Sequence, residues 1–140
     1  MSEQNKAALR TAIERFNAGD EAYFDFYAHD VAVHGQPGAP ELDRDGLIAF
    51  YRQLWAAFPK ARVETLHLVA EGDLAAAHFR ISGTLESEFM GVQPGGKAIS
   101  LEALNLFRMT TDGKCVERWV RLDEVAFMSQ LGLMPAPATA

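Results

Sequence analysis

The sequence predicts an α+β fold in which helices pack on one face of a curved, largely antiparallel sheet. Three observations carry this. Apolar residues recur with helical spacing up to Pro59, then alternate with a period of two from Arg62 to Leu122, and the strand-like stretches are separated by the turn-rich segments "EGD", "MGVQPGGK" and "TDGK".

The elements follow in order. In "KAALRTAIERFNAG", Leu9, Ala12, Ile13 and Phe16 fall at i, i+3, i+4 and i+7, which predicts a helix over residues 3–18, stopped by Gly19. Asp20 is placed to cap a short second helix holding Phe24, Phe26 and Tyr27. "DVAVHG" reads as a strand ending at His34, and "GQPGAP" as a loop. The cleanest helical stripe is Leu47, Phe50, Tyr51, Leu54, Trp55 and Phe58, ended by Pro59; four of its members are aromatic, so it presents a large, stiff apolar surface. Strands are expected over 62–70, 74–86, 99–111 and 115–122, and a last helix from Asp123 to Gly132. The tail "PAPATA" is expected to be disordered, so that residues 1–133 form one domain and 134–140 a tail.

The chain has 140 residues, 49% of them hydrophobic, enough for one core that buries roughly 70% of the unfolded surface. A net charge of −6 without a block of like charge argues against nucleic acid or an anionic membrane as the main partner. No apolar run reaches the ~18 residues of a membrane span, no signal-peptide core is seen, and Cys115 is the only cysteine. A cytoplasmic protein whose partner is a small, mostly neutral ligand or another protein is the expectation.

Two stretches carry a resemblance. "GTLESEFMGVQPGGKAIS" (83–100) and "DGKCVERWVRLDEVAFMSQLG" (112–132), with "YAHDVAVHG" (27–35), resemble the SnoaL-like polyketide cyclase and ester cyclase family, a branch of the NTF2-like superfamily of cone-shaped α+β folds. The matching positions include Gly83, Glu88, Phe89, Gly91, Pro94 and Lys97, then Asp112, Gly113, Glu117, Trp119, Asp123 and Gln130. Leu85, Gly95, Val120 and Arg121 depart from the family's usual residues. The resemblance implies a cone with an internal pocket and a cyclase, isomerase or lyase that closes a polyketide-like, hydrophobic substrate by an aldol-type step. It implies no metal and no organic cofactor, because the substrate's own conjugation acidifies the reacting carbon. It also implies that Asp123 lies in the cone as general acid/base. Such scaffolds host many chemistries, so the site must decide between them.

The residues leave Asp123 two readings. Aspartate is a strong N-cap, and Leu122 and Phe127 stand at staple positions, so capping alone explains it. As a catalyst, a desolvated carboxyl with a raised pKa would take a proton and return it. Trp119, Arg121 and Asp123 share a face of the last strand, where Arg121 would polarise an oxygen or simply point outward. A two-residue Asp112–Gly113 turn pairs Arg108 with Glu117, Leu106 with Trp119, Leu104 with Arg121 and Glu102 with Asp123. One face then carries Glu102, Trp119, Arg121 and Asp123, the other Ala103, Asn105, Phe107, Val120 and Leu122, and local pattern leaves open which one lines the pocket. Asn105 is a candidate pocket hydrogen-bonder on the second face. His34 is a candidate to orient a substrate oxygen, and Phe50, Tyr51, Trp55, Phe89 and Trp119 are candidate walls. His29, His67 and His78 lack metal-ligand spacing.

Two further readings compete. Arg121 and Asp123 resemble part of the Asp–Arg–Asp set of limonene epoxide hydrolases, with Glu102 as the second acid. The other is a non-catalytic ligand-binding module. The outer sheet face is expected to form a homodimer.

Overall fold

The structure, a computed structural model, describes residues 2–133; the tail expected to be disordered at 134–140 lies outside the described residues. Helix α1 (Ser2–Asn17) leads through a 3-10 helix (Glu21–Phe26) into strand β1 (Tyr27–Gln36) and a short strand β2 (Ala39–Leu42). Helix α2 (Arg44–Ala57) precedes β3 (Arg62–Glu71), β4 (Leu74–Thr84), β5 (Ala98–Met109) and β6 (Cys115–Leu122), and α3 (Glu124–Gln130) closes the chain. The six strands form one sheet in the order β2-β1-β6-β5-β4-β3.

The expected α+β layout holds, with two differences. β1 runs parallel to β6, so the sheet is not wholly antiparallel. β2, read as loop, is a four-residue edge strand containing Pro40, a position where a proline costs no central ladder bond.

Local chemistry sets the helix starts. Asp20 accepts from Ala22 N at 2.9 Å, and Asp43 accepts from Gly46 N at 2.8 Å. Asn17 ties the end of α1 to the sheet, donating to Val63 O and accepting from Val63 N. The inner face of the sheet and the apolar stripes of α1 and α2 bury Leu9, Phe16, Leu47, Tyr51, Phe79 and Phe107 in one core.

The β5–β6 register agrees with the pairing expected from the turn: Leu104 opposes Arg121, Leu106 opposes Trp119 and Arg108 opposes Glu117. The connection itself is longer than two residues. Thr110 N donates to Lys114 O, and an irregularity between Arg108 and Met109 absorbs the extra length, so the two departures cancel.

Candidate active site in the cone cavity

A cavity of about 90 Å³ opens between the helices and the inner sheet face. Most of its wall is apolar: Ile13, Phe16, Phe50, Leu54, Phe79 and Leu101 are among its lining residues. One end is polar. There β6 sends Arg118 inward, β5 Asn105, α2 Tyr51 and the end of β1 Gln36.

Arg118 is 8% exposed, and neutral oxygens hold its guanidinium. Nε donates to Asn105 Oδ1 at 2.9 Å, and Nη1 donates to the hydroxyls of Tyr27 at 2.9 Å and Tyr51 at 2.7 Å. Tyr23 OH lies 2.5 Å from Tyr27 OH and extends the network. Burial pushes the Tyr23 and Tyr27 phenols well above their usual pKa, so they stay neutral at physiological pH. Among the described residues no carboxylate lies within ion-pairing distance of Arg118, and Nη2 takes no hydrogen bond. The guanidinium also packs 5.2 Å from the centre of the Phe107 ring. An arginine stays protonated in a protein, so the chamber holds a positive charge without a counter-charge.

The expected site residues are distributed differently. Asp123, expected as acid/base in the cone, is exposed and does not line the cavity; its Oδ1 accepts from Ala126 N at 3.0 Å as the N-cap of α3. Arg121 is exposed, with Nη1 donating to Val120 O, and does not polarise a cavity oxygen. Trp119 and Glu102 share that outer face and form no wall or second acid inside; Glu102 accepts from His78 Nε2. His34 is outside as well, between Glu41 (Nδ1 at 2.5 Å) and Glu117 (Nε2 at 2.8 Å). Those two hydrogen-bonded carboxylates, Glu117 first, raise its pKa above the usual histidine value.

Of the aromatic residues, Phe50 and Tyr51 line the cavity, whereas Trp55 and Phe89 stand behind them, in ring contact with Tyr51 and Phe50 respectively. Asn105 lines the cavity and orients Arg118. The inner face is therefore the one carrying Ala103, Asn105, Val120 and Leu122. Sequence reasoning missed Arg118, Tyr27, Tyr23 and Gln36. The signal for Arg118 was its parity with Val120 and Leu122 in β6, which local hydrophobicity masked because Trp119 occupies the opposite face.

Cys115 is buried and its thiol is pushed up to about 12 by burial, which makes it a poor nucleophile. Among the described residues no group of three or more His, Cys, Asp or Glu side chains is arranged to hold a metal ion.

Comparison with known proteins agrees with this architecture. The solved structure of AclR, a candidate hydroxylase from Streptomyces galilaeus, is similar with a TM-score of 0.86 and 25% identity over 96% of this chain and 100% of that one. IdmH, a candidate polyketide cyclase from Streptomyces antibioticus, is 31% identical with a TM-score of 0.77, over 92% of this chain and 99% of that one. A SnoaL-like candidate cyclase from Jannaschia shares the fold at 21% identity and a TM-score of 0.82, with 96% of each chain covered. No curated protein sequence matches. The profile of the SnoaL-like polyketide cyclase family matches residues 6–131. With nearly the whole described chain covered, this protein belongs to the SnoaL-like polyketide cyclase family.

Proposed function

We propose that the protein is a cofactor-independent catalyst that closes or rearranges a hydrophobic, polyketide-like substrate in the cone cavity by stabilising an enolate at Arg118. One observation carries this reading: a guanidinium buried against neutral oxygens, with no carboxylate among the described residues to compensate it. A buried charge of this kind is costly to hold, and it binds an anionic oxygen more strongly than the same group would in water.

The chemistry follows from placement. A β-dicarbonyl substrate is already partly enolic, and its enol oxygen, set against Arg118 and the Tyr51 hydroxyl, is stabilised as it releases its proton and becomes an enolate. Attack of the enolate carbon on a second carbonyl of the same molecule breaks that carbonyl's π bond and gives an alkoxide, which takes up the proton the enol released. The hydroxyls of the Tyr23–Tyr27–Tyr51 cluster, nearest the charge, relay that proton, so none is gained or lost overall. The apolar walls exclude water and hold the chain folded for attack.

The test is turnover of β-dicarbonyl and polyketide-like compounds by wild type, Arg118→Met and Asp123→Asn. Arg118→Met is expected to lower kcat by about 10²–10³-fold, the scale of removing one oxyanion donor. Asp123→Asn, which keeps a capping side chain, is expected to leave turnover unchanged. Loss of turnover in a folded Asp123→Asn protein with Arg118→Met still active would overturn the assignment to Arg118.

A further inference from the structure

We propose that Gln36 is a specificity-determining residue of the cavity, selecting ligands that carry a hydroxyl donor beside the oxyanion received by Arg118. This rests on the reading of the cavity as the binding chamber.

Gln36 is 7% exposed and lines the cavity at its polar end. Its Nε2 reaches the Tyr51 hydroxyl only at 3.5 Å, and its Oε1 has no hydrogen-bond partner among the described residues. A buried amide oxygen without a donor is an exception that proteins rarely tolerate, because desolvation is then uncompensated. The backbone takes trouble to place it. Gly35 sits at φ 86°, and this left-handed residue lets both Val33 and Gln36 be buried although three positions separate them in a strand. A Cβ at Gly35 would lie 2.4 Å from Val120 O, so no other residue fits there without displacement.

The neighbours complete the pattern. Tyr51 OH accepts from Arg118 Nη1 at 2.7 Å and faces Gln36 Nε2, which leaves its own proton free to donate. The polar end of the chamber therefore offers two donors, Arg118 Nη2 and Tyr51 O–H, and one acceptor, Gln36 Oε1. A ligand that satisfies all three has an anionic or enolisable oxygen and, within the same end of the molecule, a phenolic or enolic hydroxyl. A terpenoid or simple keto acid without that hydroxyl leaves Gln36 Oε1 unpaired.

The test is calorimetric titration of wild type, Gln36→Leu, Gln36→Met and Arg118→Met with 2-naphthoate and its isomers hydroxylated at positions 4 and 8. These isomers keep the hydroxyl at the carboxylate's end of the molecule but not ortho to it, so no internal hydrogen bond forms and its proton is free. At least one hydroxylated isomer should bind wild type about tenfold tighter than 2-naphthoate, and that preference should vanish in both Gln36 variants while 2-naphthoate affinity stays within about twofold. Both variants should melt no lower than wild type, since no protein partner is lost from Oε1. No preference in wild type, or a preference that persists in the Gln36 variants, overturns the assignment. Binding of 2-naphthoate that Arg118→Met leaves untouched overturns instead the reading of the chamber beneath it, and absence of binding by every probe overturns both.

Discussion

At the scale of single residues, the two charged side chains separated by five positions, Arg118 and Asp123, take opposite roles to those their chemistry suggests in isolation. A terminal-strand aspartate beside a family-type motif invites a catalytic reading, yet its oxygen is engaged with Ala126 N and open to solvent. Replacing it by alanine should cost about 1 kcal/mol of stability in urea denaturation, and replacing it by asparagine close to nothing, because only the cap is at stake. His34 permits a pH-dependent statement. Its folded pKa is raised by Glu117 and Glu41, so protonated His34 stabilises the fold fully below the unfolded value of about 6.5. That contribution is lost as pH rises from there through the raised folded pKa. Urea midpoints measured from pH 6 upward should fall more for wild type than for His34→Gln; parallel profiles would contradict the pairing.

At the scale of elements, strand β6 explains how much of the site could be read in advance. Its register with β5 was legible because the Asp112–Gly113 pair and the alternation fix it together, and the longer turn and the bulge compensate one another. Its facing was not. β6 buries an arginine and places a tryptophan on the outer side, so the usual rule of apolar-inward points the wrong way at both positions. The helices, with their unbroken apolar stripes and aspartate caps, were legible to within a residue or two at their ends. β2 was hidden by its length and its proline. The turn of β1 at Gly35 was hidden too, since its need for glycine comes from Val120 O on a strand distant in sequence. Gly35→Ala should therefore destabilise the protein by about 2 kcal/mol or more and disturb Gln36 at the same time. A variant with wild-type stability would show that the backbone accommodates a Cβ there.

At the scale of the whole molecule, the sheet has two faces with different tasks. The inner one closes the cavity, and the outer one carries a groove lined by His67, Val69, His78, Leu104, Leu106 and Trp119. Leu104 and Val69 are 63% and 64% exposed there, aliphatic surface that a second copy of the same chain would cover. Sedimentation at tens of micromolar should give a dimer, and Leu104→Glu should shift it to monomer; a monomeric wild type would contradict the expectation. No described helix is long and apolar enough to cross a membrane. The cavity and the uncompensated arginine support the central proposal, that the chamber receives an oxyanion. The most direct measurement compares two ligands of one shape, 2-naphthoate and neutral 2-acetylnaphthalene, which has no hydrogen-bond donor, titrated calorimetrically into wild-type protein. Tighter binding of the carboxylate, by about tenfold or more, is the expected result for an uncompensated Arg118; a ketone that binds as well or better would contradict it.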